Sequence, residues 1–218
     1  MLNALPIFTL ALFAAFALAM PAAAQDAPAD EADTKPAAEQ PDFQNLSKRS
    51  HTLGELQYDT VAAELEMKDD QGKTRGTIFF THYFATDENG KALHEDSDRP
   101  ITYVFNGGPG AASVWLHLGT AGPYRVDMPD DGVPHAPPHK VVQNEASWLP
   151  FTDLVFIDPV GTGFSRAAIK DNDGDGKPDK KDNPGDEGKM FYGVREDIKW
   201  VGEFIRIHCT RFERWNDP

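Results

Sequence analysis

A chain of 218 residues with one cysteine, no Lys or Arg ahead of its first apolar run, no Gly-x-Ser-x-Gly anywhere and an excess of anions is defined first by what it lacks. One cysteine excludes an intrachain disulfide, so the core holds itself together by packing. That residue, Cys209, falls in "EFIRIHCTRF" on a predicted helix. Such a setting suits a small packed side chain and not an accessible thiolate. The 21 Lys and Arg against 35 Asp and Glu leave a formal charge of −14, which repels phosphate backbones and anionic lipid heads. Nucleic acid is therefore not an expected partner. The missing Gly-x-Ser-x-Gly removes a serine elbow of that form from these residues. What is there, 40% hydrophobic and 26% charged, is the composition of one globular domain or part of one.

Residues 1–24 carry an apolar stretch from Ala4 to Met20 and end in Ala22, Ala23 and Ala24, small residues of the kind a signal peptidase accepts. They read as a cleaved export signal, which sends the protein to a periplasm or the cell exterior with no membrane attachment afterwards. The absence of a preceding Lys or Arg leaves an uncleaved anchor as the alternative. Residues 25–50 are rich in Ala, Pro and acids, too poor in apolar surface to offset chain entropy, and are expected to form a disordered spacer.

From His51 to Pro218 the pattern changes. "YDTVAAELEMKD" and "GTIFFTHYFAT" are strand candidates joined by the turn-rich "DDQGKTR", an antiparallel hairpin. "ITYVF" and "DLVFIDPVG" are short apolar runs without clean alternation, which fits strands covered on both faces. "AASVWLHLGT" between them suits a short helix. "YGVREDIKWVGEFIRIHCTRFERW" is a long one, with Val194, Ile198, Val201, Ile205, Phe212 and Trp215 as its expected apolar face. Strand and helix alternate, so the predicted fold class is α/β: a central sheet with flanking helices and an N-terminal hairpin, whose sites form at the carboxyl ends of the strands. "NGGPG" follows Phe105 and "DPVGTGFS" follows Ile157, which places both loops at one edge of that sheet.

Gly107 and Gly108 lack a Cβ, so their loop can take unusual dihedrals and let a ligand approach its amides. If a helix begins just after Pro109, free N–H groups and the helix's positive end converge on one point suited to an oxyanion or carboxylate. The plainer reading is a tight strand-to-helix turn with no ligand.

"FNGGPGAAS", "GPYRV", "NEASWLPFTDLVFIDPVGTGFSRA" and "FYGVREDIKWVGEFI", in that order, resemble the N-terminal half of the serine carboxypeptidase family. The resemblance covers roughly Ile101 to Trp215 and implies an α/β-hydrolase fold, incomplete in these residues. It implies that Gly108 supplies a backbone N–H to the oxyanion hole, where negative charge grows as a peptide carbonyl becomes tetrahedral. It also implies that Asn106 and Gly107 help hold the substrate's free C-terminal carboxylate. The substrate is then a peptide with a free C-terminus, and catalysis needs no cofactor. Two departures stand out: "LGTAGPY" has no acid where the family commonly places a carboxylate-recognising glutamate, and Ala111 replaces the cysteine that usually follows the glycine loop.

The nucleophile is the larger gap. "GFSRA" lacks the second glycine, and the family does not use Ser165 for attack. Ser113 reads as a first-turn helix residue, and His117 and His208 as helix residues with a packed or a surface role. The expectation is a fragment whose Ser, Asp and His lie beyond Pro218, inactive alone. Two other readings remain: a proline-iminopeptidase-like hydrolase, disfavoured by Asn106 and by "DPVG", and a non-catalytic, calcium-stabilised binding module.

That last reading rests on an acidic insertion at about residues 168–189. In "DNDGDGKPDKKD", Asp171, Asp173, Asp175, Asp179 and Asp182, with the Lys177 carbonyl and Gly176 at the turn, fall on the ligand spacing of calcium loops. The alternative is a solvated acidic loop. Calorimetric titration with calcium separates the two: a structural calcium site gives heat and ordering at millimolar ion, a solvated loop gives neither.

Overall fold

Alternation builds the scaffold. In β2 (Leu56–Lys68), Val61, Ala63, Leu65 and Met67 are buried while Thr60, Ala62, Glu64 and Glu66 lie between them on the other face. β3 (Thr74–Thr86) returns antiparallel from it through a turn in which Asp69 Oδ1 accepts the N–H groups of Gln71 and Lys73. The computed structural model describes residues 43–96, 98–107, 110–129, 131–133, 135–168 and 188–218. Within them the expected hairpin is present and gains a third strand: β1 (Gln44–Leu53) pairs antiparallel with β2. The ordered fold therefore begins before His51. Residues 44–50, expected in the disordered spacer, are held by ladder hydrogen bonds that their polar side chains could not reveal.

β4 (Ile101–Val104) and β7 (Asp153–Ile157) are parallel neighbours, and β7 also pairs antiparallel with β3. The sheet is mixed, in the order β1-β2-β3-β7-β4, with the two-residue β8 (Arg166–Ala167) on β3. β5 (Tyr124–Val126) and β6 (Val141–Gln143) make a separate two-stranded ribbon. All five residues of β7 are buried, as expected of a strand covered on both faces, whereas β4 is half-buried and, among the described residues, pairs with β7 alone.

β7 divides the core. Val155 and Ile157 point to the face packed by Phe80, Phe191 and the long helix α2 (Val194–Arg211), while Leu154 and Phe156 point to the face with Tyr58, Ala121 and Leu149. The buried side of α2 is Trp200, Phe204, Ile207 and His208, with the Trp200 indole N–H donating to the Met190 carbonyl at 2.9 Å. The expected face is corrected in part: Ile205 and Phe212 do pack against the core, but the fully buried stripe lies beside them. Val194 and Ile198 are 80% and 69% exposed, and Trp215 is exposed as well. The two stripes have similar apolar content; the larger rings won because Phe80 offers them edge-to-face partners at 5.4 Å. His82 and His208, stacked edge to face at 4.8 Å, are buried and held neutral: burial pushes His82 down to about 3, and it carries His208 in the same direction.

The elements are tied at the start of β7. The Asp153 carboxylate, fully buried, accepts the Ala85 N–H at 3.0 Å, Arg99 Nε at 2.6 Å and Arg214 Nη1 at 2.7 Å. Arg214 also donates to the Arg99 carbonyl at 2.9 Å and pairs with Asp217, and Arg99 donates to the Leu149 carbonyl. Burial pushes this carboxyl up, but His94, the Arg99 guanidinium and the Ala85 amide together hold it well below the usual carboxylate range. Replacing Asp153 by Ala strands buried guanidinium charge, and a loss of about 3–5 kcal/mol in urea unfolding is expected. Arg49→Ala, on the exposed β1, provides the near-neutral reference in the same assay.

Candidate active site

At the other end of β7 the chain turns through Asp158, Pro159, Val160 and Gly161, and beside it β4 runs into Phe105, Asn106 and Gly107. Because these strands are adjacent and parallel, both loops leave from the same sheet edge, as the sequence predicts. Asp158 joins them. Its Oδ1 accepts the Ser113 N–H and the Ser113 hydroxyl, each at 2.9 Å, and its Oδ2 accepts the Phe164 N–H at 3.3 Å. The loop is closed by Ser165, whose hydroxyl donates to the Asp158 carbonyl at 2.6 Å and accepts the Phe79 N–H at 2.7 Å. Ser165 is fully buried, a tie and not a nucleophile.

Two glycines make the turn possible. Gly163 has φ +47, and a Cβ there would overlap the Asp158 carboxylate. Gly161 has φ +88, and a Cβ there would stand 2.5 Å from the Tyr192 hydroxyl.

The element after the glycine loop is shorter than a regular helix. α1 (Val114–Leu116) runs at once into a π-helical turn, His117–Ala121. Ser113 precedes it and gives its N–H to Asp158, so that amide is satisfied within the fold. The π turn is fastened on both sides. His117 Nε2 and the Tyr83 hydroxyl share a hydrogen bond of 2.6 Å, and the imidazole stacks on Phe156 with centroids 4.4 Å apart. Burial pushes His117 down to about 4, partly opposed by the Asp158 charge, and pushes the Tyr83 phenol up, so both are neutral at pH 7. His117 is thus packed, as its helical placement suggests. On the far side the Asn144 amide donates to the Thr120 and Gly122 carbonyls at 2.6 and 2.8 Å, and Ser147 Oγ donates to the Ala121 carbonyl at 3.0 Å.

Of the sequence-derived site residues, Asn106 is half-buried and Gly107 exposed, and neither makes a hydrogen bond among the described residues. The Asn106 amide therefore does not serve as a loop tie. Gly108 lies outside the described residues, and so do Asp171, Asp173, Asp175, Lys177, Asp179 and Asp182. Among the described residues no group of three or more His, Cys, Asp or Glu is arranged to hold a metal ion, and no helix is long and apolar enough to cross a membrane. Sequence reading missed Asp158 and the Tyr83–His117 pair. Asp158 was signalled by its place, an acid directly at the carboxyl end of an apolar strand; Tyr83 gives no such sign.

A mixed sheet in which the segment after a glycine-rich loop is tied to the turn that follows the neighbouring parallel strand defines the class as an α/β-hydrolase-like fold. The chain belongs to the serine carboxypeptidase family, whose model matches residues 70–185. The pheromone-processing carboxypeptidase KEX1 of Saccharomyces cerevisiae is 39% identical over 116 residues, 53% of this chain and 14% of that protein. Its counterpart from Candida tropicalis is 36% identical over 86 residues, 39% of this chain and 11% of that protein. The Arthroderma otae protein is 39% identical over 92 residues, 42% and 12% respectively. The chain thus spans between a tenth and a seventh of the length of these relatives.

Gly163→Ala is expected to displace the Asp158 carboxylate and leave the buried Ser113 N–H and hydroxyl without a partner, costing about 1–3 kcal/mol in denaturant unfolding. Ser113→Ala keeps the amide bond to Asp158, so its cost is expected to be smaller, about 1 kcal/mol.

Proposed function

We propose that these residues are the N-terminal part of an exported serine-type carboxypeptidase that releases residues from peptide C-termini. The observation that carries the reading is the pair of hydrogen bonds from Ser113 to Asp158, which ties the segment after the glycine loop to the turn that follows β7 in a chain of this family. Preorganised amides lower a barrier because they need not reorient as charge develops; one such donor contributes about 3 kcal/mol. The Gly108 N–H is the donor for the tetrahedral oxyanion. The Asn106 amide and the Gly107 N–H, free of internal hydrogen bonds, hold the substrate's terminal carboxylate. The nucleophilic serine, its histidine and its acid belong to sequence outside these 218 residues, since Gly-x-Ser-x-Gly does not occur within them. Residues 1–24 direct export. Catalysis uses no cofactor, and calcium, where residues 171–182 take it up, stiffens a loop and does no chemistry.

The test is release of single amino acids from peptides by the protein extended past Pro218, followed by mass spectrometry. Peptides with a free C-terminus are expected to be trimmed and their C-terminal amides to be spared. Asn106→Ala is expected to raise KM for the free acid by about tenfold with a smaller change in kcat, the loss of one charge-assisted hydrogen bond. Equal cleavage of acid and amide, or an extension without a serine elbow, overturns the reading.

A further inference from the structure

Asparagine followed directly by glycine occurs twice in the chain, at Asn89–Gly90 and at Asn106–Gly107. The pair is reactive because a glycine nitrogen, with no side chain beside it, reaches the carbonyl carbon of the preceding asparagine side chain more freely than any other residue's does. What already holds the two groups decides whether it does so. In the turn after β3 the nitrogen is engaged: the Gly90 N–H donates to the Asp87 carbonyl at 3.0 Å, and the Asn89 N–H donates to Asp87 Oδ1 at 2.9 Å. Asn106 and Gly107 stand just beyond the β4–β7 ladder, and neither makes a hydrogen bond among the described residues. Asn106 is half-buried, Gly107 is exposed, and a Cβ at Gly107 would meet nothing within 4 Å, so the nitrogen is accessible and unobstructed. Asn144 shows the opposite arrangement. Its amide donates to two carbonyls, its Oδ1 accepts the Ala146 N–H at 3.1 Å, and a glutamate follows it.

We propose that Asn106 is a site of spontaneous deamidation through the Gly107 nitrogen, and that this modification is a one-way, age-dependent switch on the glycine loop. The Gly107 nitrogen gives up its proton to solvent base and forms a bond to Asn106 Cγ. The bond from Cγ to the side-chain nitrogen breaks, and ammonia leaves with a proton taken from solvent. Water then opens the cyclic imide at one of its two carbonyls, leaving an aspartate or an isoaspartate at this position. The net change is uptake of water and release of ammonia, with no oxidant or reductant. The consequence for function rests on the carboxypeptidase reading above and deepens it. A side-chain N–H donor becomes a carboxylate, of the same charge as the peptide terminus it holds, and like charges in contact oppose binding. The isoaspartate form also lengthens the main chain by a methylene directly ahead of Gly108. A bound terminal carboxylate engages the same Asn106 amide and Gly107 N–H that the reaction needs, so occupancy protects the loop and the idle protein ages.

Ageing the 218-residue protein in mildly alkaline buffer, with peptide mapping by mass spectrometry at intervals, tests the site without turnover. The Asn106 peptide is expected to convert from amide to acid about fivefold faster than the Asn89 peptide, the worth of the one hydrogen bond that Gly90 must break. In denaturant, where that bond is gone, the two sites are expected to convert at similar rates. Gly107→Ala is expected to slow conversion at Asn106 by about tenfold with an unchanged unfolding midpoint, because its Cβ restricts the attacking nitrogen and meets no neighbour. Isoaspartate, identified by electron-transfer fragmentation, is expected among the products, since direct hydrolysis of the side chain yields aspartate alone. Conversion at Asn106 no faster than at Asn89 in the folded protein, a rate that Gly107→Ala leaves unchanged, or a product free of isoaspartate overturns the proposal. In the protein extended past Pro218, trimming of free-acid peptides is expected to fall in step with conversion, and Asn106→Asp to reproduce the loss. Conversion in an extended protein that trims no peptide sinks the enzymatic reading and leaves the modification site standing; trimming that survives complete conversion sinks the switch.

Discussion

Buried charge organises this fold. The Asp153 carboxylate sits at the first residue of the central strand and is satisfied by a β3 amide and by two guanidinium groups, one ahead of β4 and one following α2. With Asp217 on Arg214 the set has two cations and two anions, so it is neutral as a whole and costly to break in part. A network of this kind contributes little net stability against a well-packed apolar replacement. Its effect is on arrangement: four segments far apart in sequence meet at one carboxylate, and any other register leaves an unpaired charge in the core.

The same strand carries the functional geometry at its other end. Asp158 follows Asp153 by five positions, about 17 Å along an extended chain. One acid fixes the scaffold and the other fixes the loops. Asp158 holds the segment after the glycine loop by two hydrogen bonds and its own turn by a third, while Gly161 and Gly163 let Tyr192 and the carboxylate come close enough to do so. The Tyr83–His117 bond and the Asn144 and Ser147 bonds secure the π turn that follows.

The expected and observed elements differ where two local solutions were close in energy. In α2 the stripes through Val194 and Ile198 and through Trp200 and Phe204 both satisfy helical periodicity, and contact with Phe80 and Phe191 selected the second. Tyr103 adds a hydrogen bond of 3.0 Å to His208 on that side. In β1 the exposed residues 44–50 are polar apart from Leu46; their order comes from backbone pairing with β2, which composition cannot report. The helix after the glycine loop was anticipated; the bond from the residue before it, Ser113, to Asp158 in a turn forty-five residues away was not.

Strand candidates, the parallel placement of the two loops, the family and the absence of a serine elbow were all legible from the amino acids, because each rests on local pattern or on a motif with fixed spacing. Which face of α2 is buried, which acid bonds the segment after the glycine loop, and that Tyr83 reaches His117 were decided only by the tertiary structure. The physical reason is that these depend on distances between segments far apart in the chain, and a hydrogen bond or an ion pair is gained or lost within about one ångström.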